Sequence, residues 1–313
     1  MDAMRIVEKY QWKNAYMLNE HLTAQTIGLD KFSPSMLGTY EDCPRLFYYQ
    51  NWLGLKIDED RLHMDFGNAI HEAINQVYIE YDNHFGGGWQ AGDFEKVKER
   101  FLQNWKQSNV PEETFKKFMT TAAGRESGFT KKEDLYEDFK EDGLIMLQAY
   151  WDKKEVLLAE YGHDLVDFEL YKKQVLFNPL NPEEKLPIPA SYRIDARNRD
   201  QTKTVDFKTS KAKYNIEETR KKIQGQLYLL GQWCETGKFC GEFDYTVLRK
   251  GLKTDDRIEV VVLKYDEADL VATFYRIQAI LAKIANREFA VPSIGHASYC
   301  QCRKFEEALR IET

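Results

Sequence analysis

Residues 188–197 and 201–209 read as two β-type runs joined by a short polar turn, and this pair constrains the fold more than any other stretch of the chain. With the turn centred between Asp200 and Gln201, cross-strand partners sum to 401, and Asp195 stands opposite Asp206. Like charges directly opposed on a sheet repel. A cation between them reverses the sign, and paired carboxylates suit a hard divalent ion such as magnesium. Strand alternation then places Asp206 and Lys208 on one face and turns Phe207 into the core. Two carboxylates and an ammonium within a few ångströms suit metal-assisted hydrolysis, with Lys208 orienting a water or steadying developing charge. A pair of solvated turn charges is the plainer alternative, and a one-residue slip in register would separate the groups.

The hairpin needs a fold around it. Ser33 caps a helix with Pro34 in its first turn, and Pro44 breaks or kinks that helix. A helix over about 65–81 presents Ile70, Ile74, Val77 and Tyr81, and residues 93–160 have helical spacing that ends in one long helix over about 132–160. From Asp164 the period changes to strands, one or a bent pair between Val166 and Phe177, then the hairpin. A helix over 216–235, strands over 243–249 and 258–263, and a closing helix over 265–285 follow. The order predicts an α/β fold, a mixed central sheet flanked by helices. The expected organisation is an N-terminal arm over 1–32 and one domain over 33–313, with a large helical insertion over about 90–160.

Net charge is −7, which excludes a globally basic nucleic-acid coat but leaves room for a local basic site. No apolar run approaches the roughly 20 residues of a membrane span, so a cytoplasmic protein is expected, with its five cysteines reduced.

Four motifs, the hairpin among them, stand in order along the chain: Ser35-Met36-Leu37-Gly38-Thr39-Tyr40-Glu41-Asp42-Cys43-Pro44, Gly67-Asn68-Ala69-Ile70-His71, Asp195 with Asp206-Phe207-Lys208, and Gln224-Gly225-Gln226-Leu227-Tyr228. In this order the chain resembles the RecB-like branch of the PD-(D/E)XK nucleases, which includes the AddB nuclease domain and the CRISPR-adaptation exonucleases. The resemblance implies a restriction-endonuclease-like core and phosphodiester hydrolysis on DNA with magnesium or manganese. It implies metal binding by His71, Asp195, Asp206 and the Phe207 carbonyl, catalysis by Lys208, and site support or DNA contact by Gln224 and Tyr228. Glu169 is a candidate additional acid, or a surface charge on an edge strand.

Nine Lys or Arg stand against four Asp or Glu from Arg197 to Lys222. Within this run Lys211, Lys213, Lys221 and Lys222 are candidate phosphate contacts. Tyr214 and the aromatics between Tyr40 and Trp52 are candidates for base stacking or for the core.

Many relatives hold an iron–sulfur cluster through the cysteine of the Tyr-x-x-Cys-Pro motif and three near the C-terminus. Cys43 and Cys300 match two positions, but Arg303 and Leu309 stand at the other two, so no cluster is expected. Cys43, His296, Cys300 and Cys302 would make a formally acceptable zinc set. The favoured reading has the cysteines packing the two ends of the chain together.

The expected function is a metal-dependent DNA exonuclease of phage or bacterial type in recombination, repair or replication, acting on single strands or DNA ends. The alternatives are a structure-specific endonuclease and a non-catalytic DNA-binding subunit of a helicase–nuclease or CRISPR-adaptation assembly. The partners this reading implies are DNA and a recombination or helicase protein, and no membrane association is expected. The chain carries no helicase P-loop, so any motor would be a separate protein.

Overall fold

The hairpin lies in the middle of a mixed sheet. The computed structural model describes residues 22–56, 61–83, 93–252, 256–290 and 300–311. Its first part contains α1 (Ala24–Ile27), α2 (Pro34–Asp42), α3 (Pro44–Phe47), a π-helical turn (Tyr48–Trp52) and α4 (Leu62–Asn83). The helices α5 (Asp93–Asn104), α6 (Glu112–Met119), α7 (Ala122–Glu126) and α8 (Lys132–Tyr161) follow. Next come β1 (Leu165–Gln174), β2 (Phe177–Asn178), β3 (Asn181–Lys185), β4 (Ala190–Asn198) and β5 (Lys203–Ser210). The chain then forms α9 (Ile216–Lys221), α10 (Ile223–Thr236), β6 (Glu242–Arg249), β7 (Ile258–Lys264), α11 (Glu267–Ala285) and α12 (Cys302–Ile311).

Among the described residues the main sheet has the order β1-β4-β5-β6-β7. All neighbours are antiparallel except β5 and β6, which run parallel. Two parallel neighbours cannot be joined by a tight turn, and α9 with α10 makes the crossover. The fold is therefore α/β, a mixed sheet flanked by helices, as the element order predicts.

Two apolar clusters cover the sheet. One gathers Leu37 of α2, Leu227 and Leu230 of α10, Phe274 of α11 and the β6 side chains Phe243, Tyr245 and Val247. The other gathers Ile70 and Ile74 of α4, Phe101 of α5, Tyr150 of α8, and Val205 and Phe207 of β5. Phe207 is fully buried, worth about 1.5–3 kcal/mol relative to exposure, and this anchors β5 in register beside its two charged neighbours.

The local signals act as expected at several points. The Ser33 hydroxyl accepts the Met36 amide at 3.2 Å and starts α2. Cys43 ends α2 and its sulfur caps α3, so Pro44 marks a true break. Two departures stand out. The single helix expected over 216–235 is two, because Lys222 has extended backbone with ψ 134° between α9 and α10. The small β2–β3 ladder includes Pro182 and charged residues, so no apolar alternation announces it. No described helix is long and apolar enough to cross a membrane. Residues 1–21, most of the expected N-terminal arm, lie outside the described residues.

Candidate active site

The hairpin keeps the expected register, pairing Ala196 with Val205 and Arg197 with Thr204. The ladder stops there, one pair short of Asp195 and Asp206. Beyond it β5 stays with β6, while β4 follows β1. Asp195 repairs the interrupted ladder, its Oδ2 accepting the Phe207 amide at 2.9 Å. The strands thus part at the two acids, and the acids face different helical layers. Asp206 accepts a hydrogen bond from Gln224 Nε2 of α10 at 2.8 Å, while Asp195 Oδ2 lies 3.6 Å from His71 Nδ1 of α4.

His71 comes from the layer that buries Phe207. Its Nε2 is 2.8 Å from the Phe207 carbonyl oxygen. An Nε2–H donated to that carbonyl leaves Nδ1 as the basic atom, turned toward the acids. The carbonyl expected as a metal ligand is thereby engaged by the histidine expected as another. Glu169 completes the group, with an oxygen 4.0 Å from His71 Nδ1 and a second bound to Arg193 at 3.2 Å. The β1–β4 register, Phe168 with Ala196 and Leu170 with Ile194, sets Glu169 across from Asp195. Glu169 also has φ 49°, uncommon outside glycine. Sequence spacing gives no sign of that conformation, which accompanies the turn of its carboxylate toward the acids.

Lys208 pairs with Asp206, as two residues apart on one strand face allow. Gln224 also donates to the Tyr228 hydroxyl at 3.2 Å, and Tyr228 is nearly buried, stacked on Tyr192. Tyr228 therefore braces Gln224. Gly225, between them and Phe243, has a packing reason: a Cβ there would meet the Phe243 ring at 2.9 Å.

The electrostatics reflect concentrated negative charge. Burial first, then Asp206, pushes the Asp195 carboxyl well above the ordinary range. Glu169 is raised as well, by burial against the opposing pull of Arg193. Burial lowers His71 more than Asp206 raises it. Burial also disfavours the Lys208 ammonium, yet Asp206 and Asp195 outweigh it and hold the group above its usual value. Ligand atoms of His71, Glu169 and Asp195 lie within 4.8 Å of one another. An imidazole with clustered carboxylates fits a hard divalent cation, manganese somewhat more readily than magnesium for the nitrogen donor.

The basic run does not form one surface. Arg197 is buried against Asp167, Lys203 against Asp244 and Glu242, and Arg220 pairs with Asp269. Lys211, Lys213, Lys221 and Lys222 remain exposed. Tyr214 packs near Tyr245, and Tyr40 and Phe47 are core residues.

At the end of α2, Cys43, Cys300 and Cys302 converge, with sulfurs within 4.8 Å of one another, beside Tyr49 and Phe305. The cysteines join the two ends of the described chain. A single tetrahedral ion with bonds of about 2.3 Å to sulfur would space its thiolates by about 3.8 Å, compatible with this group. A four-iron cluster needs a fourth ligand, and neither Arg303 nor Leu309 can be one. His296 lies outside the described residues.

No curated protein matches the chain. A solved structure described as "Crystal structure of SSO0001" is 12% identical, over 72% of this chain and 92% of that one, with a TM-score of 0.27, too low to carry an argument. The family model of the PD-(D/E)XK nuclease superfamily matches residues 31–305, from just before the Ser33 cap to Phe305 beside the cysteines. With nearly the whole described fold inside that match, this chain belongs to the PD-(D/E)XK nuclease superfamily.

Proposed function

We propose that the protein is a divalent-metal-dependent DNA exonuclease of the RecB-like branch, acting in DNA repair, recombination or replication. The observation that carries the reading is the meeting of His71, Glu169, Asp195, Asp206 and Lys208 where β4 and β5 part. A bound magnesium or manganese ion would supply a Lewis acid for a phosphate oxygen and lower the pKa of a bound water.

The residues have separate tasks in this reading. Asp195, Asp206, Glu169 and His71 Nδ1 hold the ion. The Phe207 carbonyl receives the opposite imidazole nitrogen and fixes the ring, as partners behind a metal-bound histidine commonly do. Gln224, braced by Tyr228, aims the Asp206 carboxylate. Lys208 stays protonated beside the two acids, so it donates: it orients the attacking water or stabilises charge on the phosphate oxygens. Lys211, Lys213, Lys221 and Lys222 contact the DNA backbone.

The test is digestion of end-labelled single- and double-stranded DNA, linear and circular, with magnesium, manganese or chelator. Metal-dependent release of short products from linear DNA alone supports an exonuclease. Cutting of covalently closed circles turns the reading to an endonuclease. Binding without cleavage in any metal turns it to a DNA-binding subunit.

A further inference from the structure

Beside the acids lies a groove of about 830 Å³ that runs from Gln224 past Arg193 and Tyr171 to the start of α2. Two of its lining residues touch the acids directly, Gln224 through Asp206 and Arg193 through Glu169. At the α2 end Phe32 bridges to the start of β4, its amide donating to the Pro189 carbonyl and its carbonyl accepting the Ser191 amide. A pocket of this size suits one small ligand or a few unpaired nucleotides, and it is too small for a duplex.

One wall of the groove comes from β1 and β4. The β1–β4 register places Tyr171 beside Arg193, and Lys173 beside Ser191. Strand alternation is broken at Glu169 by its positive φ, with Phe168 packed into the α4 cluster and Leu170 into the α10 cluster. The link to the acids is therefore Arg193, which pairs with Glu169 although its own side chain is 63% exposed. Tyr171 and Ser191 line the groove beyond it. Across the groove stand Lys221 and Lys222, which the break between α9 and α10 presents at the mouth.

Tyr171 is the unusual member. Its residue is 54% exposed, whereas Tyr192, Tyr228 and Tyr245 are nearly buried and Tyr214 is half-buried against Tyr245. The exposed ring is also tethered, because its hydroxyl lies 3.0 Å from Ser191 Oγ. A held aromatic ring with cations on both sides is the general form of a single-strand platform, where one base stacks and neighbouring phosphates are neutralised. A tethered ring has also already lost the freedom that stacking would cost.

We propose that this groove carries an unpaired DNA strand into the metal site, with Tyr171 stacking a base next to the scissile phosphate and Arg193 and Lys221 contacting the flanking phosphates. The inference rests on the reading of the acids as the cleavage centre. It adds that the substrate in the groove is single-stranded and that Tyr171 sets this preference.

The experiment measures fluorescence anisotropy of a labelled single-stranded oligonucleotide and of a duplex of equal length, both in chelator so that nothing is cut. Tyr171→Ala should weaken single-strand binding by about 5- to 100-fold, the range for loss of one stacked base, and leave duplex binding within about twofold. Tyr171→Phe and Tyr171→Trp should keep most of the single-strand binding, since both keep a ring and lose only the tether to Ser191. Circular dichroism melting serves as the fold control, with the exposed ring expected to be dispensable for stability. An alanine variant equal to wild type overturns the proposal. So does a phenylalanine variant as weak as alanine, or a parallel loss on duplex. If the stacking effect appears but no metal supports cleavage, the nuclease reading fails and the groove stands. Metal-dependent cleavage with no effect at Tyr171 removes the groove and keeps the nuclease.

Discussion

Asp206→Asn is the most informative single change at the site, because it removes a charge and little else. The asparagine amide keeps the volume of the carboxylate and can still accept the hydrogen bond from Gln224. Two electrostatic effects oppose each other in the metal-free protein. Lys208 loses its partner on β5, but its side chain is one-third exposed and Asp195 remains nearby, so water and the second acid take over much of the pairing. Asp195 loses the repulsion of Asp206, the second largest cause of its raised pKa. The net change in stability should be within about 1–2 kcal/mol, well below the 3–5 kcal/mol of an uncompensated buried charge. Catalysis has no such compensation. With Asp206 holding the ion as proposed, weakening that ligand and its charge should remove several kcal/mol of transition-state stabilisation, a loss of about a hundred- to a thousandfold or more in rate. The assay pairs cleavage of labelled DNA with thermal melting at rising magnesium or manganese. The wild type should melt higher as metal is added, by up to about 2.7 kcal/mol of stabilisation at a hundred times the dissociation constant, and the variant should respond far less. An Asp206→Asn protein that cuts at the wild-type rate, or gains the same metal-dependent stabilisation, refutes the assignment.

Lys208→Ala should lower the cleavage rate by orders of magnitude while metal-dependent stabilisation is kept, since an ammonium is no ligand; loss of the metal response would show that its role is structural. Lys250 lies half-buried over the rings of Phe66 and Phe139, and this desolvation lowers its pKa to about 8 despite Asp142 and Asp138. Because the folded pKa lies below the unfolded one, folding is favoured increasingly as pH rises from about 8 toward 10.5, and Lys250→Met should stabilise the protein most below pH 8, as melting across pH will check. Anaerobically purified protein should show no iron–sulfur charge-transfer absorbance, and Cys43→Ser should cost on the order of 1 kcal/mol by denaturant titration; a coloured protein that bleaches with this change would contradict the reading of Arg303 and Leu309.

Much of this was legible because short-range rules govern it. A cap needs only Ser33 and Pro34, and a hairpin register needs only a turn and alternation, so Asp195, Asp206, Phe207 and Lys208 could be placed from residues alone. His71, Gln224 and Tyr228 came from the ordered motifs, since no local spacing ties a helix to a strand more than a hundred residues away. The illegible parts depend on tertiary competition. Nothing in β4 or β5 announces that their ladder ends after two pairs, because that is decided by β6 holding β5 and β1 holding β4. The positive φ of Glu169 and the break at Lys222 occur at residues with no glycine or proline to mark them. The basic run is dispersed for the same reason: four of its nine Lys and Arg pair with acids outside the run.

The two apolar clusters give the site an unusual dependence on cooperativity. One acid is steadied from the α10 side and the other faces the α4 side, so neither half of the core can assemble the site alone. Opening of either helical layer would scatter the ligands before the sheet itself came apart. Activity should therefore report the loss of the less stable layer, and it should disappear at a lower denaturant concentration than the sheet's own signal if the two layers unfold as separate units. A single shared midpoint would mean that the strands passing between the clusters bind them into one cooperative block.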